Sequence, residues 1–122
     1  MKLSMLLLLS LIILSCKKDI DSEMNQAVWL KKDQTVKIDG HAILFDTIVE
    51  ESRCPINARC IWSGRFIAGL KIDGDLISLG TDAPIIDWNG FAIELLEVDP
   101  ISFSSQKMPS ESRYRIQIIV RK

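Results

Sequence analysis

A single histidine, only three cysteines and no surplus of either charge (15 Lys and Arg against 16 Asp and Glu) mark this 122-residue chain. Each shortage closes off a chemistry. His41 stands alone at a strand start, and no serine sits in a nucleophile-elbow pattern, so a Ser–His–acid hydrolase has no basis. No glycine-rich segment has the form of a phosphate-cradling loop. Zinc normally takes four ligands, and Cys54, Cys60 and His41 lack the spacing for it. The acids Glu50, Glu51, Asp73, Asp75, Glu94, Glu97 and Asp99 fall mostly at strand ends or outward positions. No two are fixed on one cleft, as glycoside hydrolysis needs. The balanced charge supplies no field to hold a phosphate backbone. The chain therefore reads as a non-enzyme without metal, cofactor or nucleic-acid partner; the less favoured alternative, a small enzyme or metal-binding protein, requires His41 within hydrogen-bond or ligand reach of acids or thiolates.

Long hydrophobic runs are also missing. The one apolar stretch, Leu3–Leu14, is broken only by Ser4 and Ser10 and falls short of the roughly 20 residues that cross a bilayer. Preceded by Lys2, it has the length and flanks of a secretory signal. It ends in Ile13-Leu14-Ser15-Cys16, followed by Lys17-Lys18-Asp19. A branched apolar residue three before the cysteine and a small residue just before it resemble the bacterial lipobox. That resemblance implies cleavage before Cys16, lipid on its sulfur and an acylated amine. Two or three acyl chains anchor stably where one does not. The Cys-Lys-Lys-Asp start is similar to lipoproteins of Bacteroidota and implies an envelope protein at the outer membrane, on either its periplasmic or its surface side. Residues 1–15 are thus expected as signal peptide, and 16–27 as lipidated cysteine and flexible tether. Without 1–15 the chain keeps 14 basic and 16 acidic side chains.

With Cys16 assigned to lipid, Cys54 and Cys60 remain as an even pair in an oxidising compartment, which favours a disulfide. Pro55 and Asn57 between them are turn formers. So short a loop makes the crosslink worth about 2 kcal/mol on the chain-entropy model.

Residues 28–122 follow a period-two pattern broken by turn signals. Thr35–Ile38 reads as a strand closed by Asp39-Gly40, a strong hairpin turn. His41–Glu50 follows, with His41, Ile43, Phe45, Thr47 and Val49 expected on one face. Cys60–Ile72 reads as a further strand, with Phe66, Ala68, Leu70 and Ile72 inward. Asp73-Gly74 leads into 75–79, and Trp88-Asn89-Gly90 marks a third turn. Phe91–Val98 is expected to carry a bulge, because Val98 falls out of step with Phe91, Ile93 and Leu95. Residues 101–112 are Ser-rich and read as a long loop before a last strand from Tyr114. About seven short strands without an amphipathic helix predict an all-β domain, an antiparallel β-sandwich or small barrel.

The segment Glu51-Ser52-Arg53-Cys54-Pro55…Cys60-Ile61-Trp62-Ser63-Gly64, with the later Val98-Asp99-Pro100, resembles a motif of small exported bacterial proteins of unassigned function. The resemblance is tight over 51–64 and loose over 28–121. Within it Arg53, Arg59 and Trp62 are the candidate binding residues, because Arg and Trp on a constrained loop suit recognition. The structural alternative pairs Arg53 with Glu50 or Glu51, places Trp62 over the core and uses Gly64 for close packing. The expected partners are the membrane, through the lipid, and an envelope protein or glycan. An exposed patch around Trp29, Trp62 and Trp88 would mark a ligand surface. A free edge at Val28–Ile38 or Tyr114–Arg121 would instead mark a subunit of an envelope complex.

Overall fold

The computed structural model describes residues 19–122, so the signal peptide expected at 1–15 and the lipidation expected at Cys16 lie outside the described residues. Nine strands follow in order: β1 Ile20–Ser22, β2 Val28–Lys31, β3 Thr35–Ile38, β4 His41–Glu51, β5 Phe66–Ile72, β6 Asp75–Gly80, β7 Ile85–Trp88, β8 Phe91–Asp99 and β9 Arg115–Arg121. They form an all-β sandwich of two open sheets, one ordered β1-β3-β4-β5-β6 and the other β2-β9-β8-β7. The barrel alternative is not adopted, and there are nine strands rather than about seven. The only helical turn among the described residues is a single 3-10 turn at Glu111–Arg113.

The two inner faces meet over Leu30, Phe45, Phe66, Leu70, Ile93, Ile116 and their neighbours, all nearly inaccessible to solvent. Each such side chain contributes roughly 1.5–3 kcal/mol by leaving water. Among the described residues, none classed as polar or charged is buried with them.

Three departures from the sequence expectations have clear causes. First, the tether expected over 16–27 already contains β1, which pairs with β3 in parallel, Ile20 opposite Val36 and Ser22 opposite Ile38. Ile20 and Met24, scattered in a polar stretch, pack against the core. Second, β4 changes face part-way. Its register against β5 shifts between Phe45 and Thr47 and again between Ile48 and Glu50. Ile48 turns toward the core, while Thr47 and Val49 move outside over Gly69, where an added Cβ would lie 2.5 Å from the Thr47 methyl. Third, the strand expected from Cys60 begins only at Phe66. The bulge expected in β8 is present, between Leu95 and Glu97, and it returns Val98 to the core.

The connections sort by end. β3–β4, β5–β6 and β7–β8 close at one end through Asp39-Gly40, Asp73-Gly74 and Asn89-Gly90, every residue of which has positive φ. That is the primed two-residue turn that matches strand twist. The opposite end holds the β2–β3 link, the disulfide loop between β4 and β5, the β6–β7 link and the long β8–β9 loop. These two ends are called the turn end and the loop end below.

Candidate functional site

The loop end gathers the segment that the sequence singled out. Cys54 and Cys60 form the disulfide, with their Cα atoms 5.9 Å apart. Around it nearly every motif residue has a structural duty. Ser52 N–H donates to the Arg65 carbonyl at 2.9 Å, and Arg65 N–H donates to Ser52 Oγ at 3.0 Å. This closes the loop at its neck. Gly64 lies under that neck with φ +66°, and a Cβ there would stand 1.7 Å from the Ser52 carbonyl oxygen. Only glycine fits.

Arg53 is an anchor rather than a free recognition group. Its guanidinium holds the Glu51 carboxylate through Nε at 2.9 Å and Nη2 at 2.7 Å. It also donates to the carbonyls of Pro100 at 3.0 Å and Ile101 at 3.2 Å. Four of its five N–H groups are thus engaged. Its carbon lies 5.4 Å from the Phe66 ring centre and 5.7 Å from that of Phe103. The bonds tie the first motif segment to the second, whose Asp99–Pro100 peptide is cis. Burial first, and the Glu51 carboxylate second, push the Tyr114 phenol up to about 12. Beside this cluster Arg65 pairs with Glu50 at 2.6 Å and Asp82 at 2.9 Å. The Arg65 hydrogen bonds hold both carboxyls below their ordinary range.

Further out, the disulfide loop is tied to the β8–β9 loop. Ile56 N–H donates to the Phe103 carbonyl at 3.0 Å, Asn57 Nδ2 to Ser105 Oγ at 2.8 Å, and Ser105 N–H to Asn57 Oδ1 at 2.9 Å. Those bonds fix a tip whose large side chains face water. Ile61 is fully exposed and Trp62 is 69% exposed, with Ile56 at 72% and Ile101 at 69%. Met108 joins them on the same long loop. Arg59 is exposed in the tip, with no ion pair among the described residues. Trp62 therefore does not cover the core. The apolar neighbours Ile56, Ile61, Ile101 and Met108 escaped sequence reading. Their only signal was large aliphatic residues inside turn-rich segments, where no strand needs them.

The expected patch of three tryptophans is not assembled. Trp29 lies on β2 with the Arg115 guanidinium 4.3 Å from its ring centre. Trp88 packs against the core at the turn end, in edge contact with His41 at 5.1 Å. The edge expected at Tyr114–Arg121 is not free either, because β9 runs between β2 and β8. Of the edge expected at Val28–Ile38, only β2 ends its sheet; β3 is covered by β1 on one side and β4 on the other.

His41 is not isolated. Its Nδ1 lies 2.6 Å from Asp73 Oδ2, and Asp73 Oδ1 accepts from Ala42 N–H at 3.0 Å. The His41 bond, then the Ala42 bond, hold the Asp73 carboxyl below its ordinary range. The ring also makes edge contacts with Trp88 and Phe91. The pair fastens the β5–β6 turn to the start of β4. Among the described residues, no three His, Cys, Asp or Glu side chains are placed to hold a metal ion.

An open groove of about 290 Å³ runs beside Arg53, between Pro84, Leu96 and Ile101. No protein-family model matches the chain, and no match to it was found among curated proteins or solved structures.

Proposed function

We propose that this chain is a non-catalytic lipoprotein of the bacterial envelope, held at the outer membrane through Cys16. On this reading its sandwich is an interaction module that works through the loop end. The carrying observation is a division of labour within residues 51–64. Glu51, Ser52, Arg53, Cys54, Cys60 and Gly64 build and lock the loop, whereas Ile61 and Trp62 project from it into water. A rigid loop that exposes an aromatic and several aliphatics suits a contact surface, because little conformational freedom is lost when it is covered.

The test places a photoreactive residue at position 62 of the native, processed protein in its own envelope, with position 76 as the control. Leu76 is equally exposed but sits near the turn end. Adducts at 62 and none at 76 are expected. Equal labelling at both positions, or none at either, would remove the loop end as the working surface. Mass analysis of the processed N-terminus should find Cys16 acylated, and an unmodified Cys16 would remove the anchor.

A further inference from the structure

The loop-end tip has an occupant that the course of the chain itself indicates. We infer that the disulfide-loop tip, built on Ile56, Ile61 and Trp62, docks on the lipid bilayer that carries the Cys16 anchor. This inference deepens the proposed lipoprotein reading and rests on it.

The argument begins with direction. β1 runs parallel to β3, and β3 runs from the loop end to the turn end. The chain therefore enters the sandwich from the loop-end side. Asp19 lines the recess beside the β2–β3 link with Lys31, Asp33, Gln34 and Thr35. Three residue steps separate it from Cys16, which limits the span to about 10 Å. Any lipid on Cys16 is thus held close to the β2–β3 link. β4 continues past that level. Leu44 stands opposite Thr35, and the strand runs on to Glu51, about 20 Å further at ordinary strand rise. A bilayer within 10 Å of Asp19 leaves the sandwich no room to stand upright on its tether. It leans, and the disulfide tip comes down on the same surface as the anchor.

The chemistry of the tip suits that surface. Ile61, Ile56 and Ile101 are more than two-thirds exposed and would gain by leaving water for the acyl boundary. Trp62 is the residue type that settles at headgroup depth, with its ring among chains and its N–H toward water. Arg59 and Lys107 lie exposed in the two tip loops, without an ion pair among the described residues. They are suited to lipid phosphates. The crosslink and the Asn57–Ser105 bonds hold these groups in place, so insertion does not require the loop to unfold.

The experiment uses the full lipidated protein in vesicles of phosphatidylethanolamine and phosphatidylglycerol with brominated acyl chains, which quench a nearby indole. Wild-type emission should be strongly quenched. In Trp62→Ala, the remaining Trp29 and Trp88 should show only weak quenching. A second arm uses the chain from Lys17 onward without lipid, since both sheets and the whole core lie within 19–122. It should sediment weakly with plain vesicles, and Trp62→Ala should lower that binding roughly tenfold, as expected for one large side chain leaving the interface. Equal quenching of wild type and variant, with no binding in the second arm, would overturn docking while an acylated Cys16 stands. Vesicle binding by the unlipidated chain with Cys16 unmodified in the native protein would keep docking and remove the anchor. Position-62 adducts to a protein, without quenching, would assign the tip to that protein and overturn membrane docking.

Discussion

The two ends of the sandwich solve the problem of joining strands in opposite ways. At the turn end, two residues suffice for each hairpin, and the glycines of all three turns have nothing within 4 Å of where a Cβ would stand. At the loop end, 14 residues separate β4 from β5 and 15 separate β8 from β9. These long loops are held by a disulfide, a bidentate ion pair and side-chain bonds to backbone. The turns of the turn end follow from local backbone preference, with the His41–Asp73 pair as an added fastening. The loop end depends on tertiary contacts, and residues of that kind are spent where a surface must be both exposed and fixed.

The contrast can be broken most sharply at glycine. Gly64→Ala should cost at least about 3 kcal/mol, since its Cβ meets backbone rather than a movable side chain. Gly74→Ala should cost only about 1–2 kcal/mol, the penalty of a left-handed residue in open space. Urea titration of both variants measures the difference, and equal losses would refute the contrast. Next in size is Arg53→Ala, which leaves the largely covered Glu51 carboxylate without its partner. A loss of about 2–3 kcal/mol is expected, with Arg53→Lys recovering only part of it because the fork geometry is gone. Opening the crosslink by Cys54→Ser with Cys60→Ser should lower stability by about 2 kcal/mol. It should also raise amide exchange at the loop end while leaving the three tight turns protected.

The smallest effect is electrostatic. Glu50 and Asp82 at the loop end and Asp73 at the turn end all have depressed carboxyl pKa values. Their stabilisation is present in full above the ordinary carboxylate range. It fades as pH falls below roughly 4 toward the folded-state values. Arg65→Met, which releases two of these acids, should flatten the acid decline more than Asp73→Asn, which removes one. The reverse order in acid titration of the two variants would count against the pairing.

Much of the sandwich was legible because its signals are local. The Asp-Gly and Asn-Gly pairs specify their turns, and the inward row Phe66, Ala68, Leu70, Ile72 keeps strict alternation. The out-of-step Val98 betrayed its bulge. What stayed hidden depends on partners distant in sequence. The double shift in β4 is set by where Gly69 leaves room for Thr47, and nothing in 41–50 announces it. β1 was hidden because a three-residue strand on a sheet edge needs only one or two apolar contacts. At the candidate site, the crosslink and the prominence of 51–64 were readable. The split between Arg53 as anchor and Trp62 as exposed group was not. It turns on Pro100 and Ile101 offering carbonyls from 47 and 48 residues away.

β1 and β9 both run from the loop end to the turn end, and this gives the molecule a polarity. The chain comes in at the loop end and leaves at the turn end, where Arg121 pairs with Ala92. Anything joined after Lys122 is therefore carried at the pole facing away from the tether. It lies about 35 Å, the length of the 11-residue β4 at ordinary rise, from the disulfide-loop end of that strand. Cargo spliced to the C-terminus would leave the domain at the end opposite the disulfide tip.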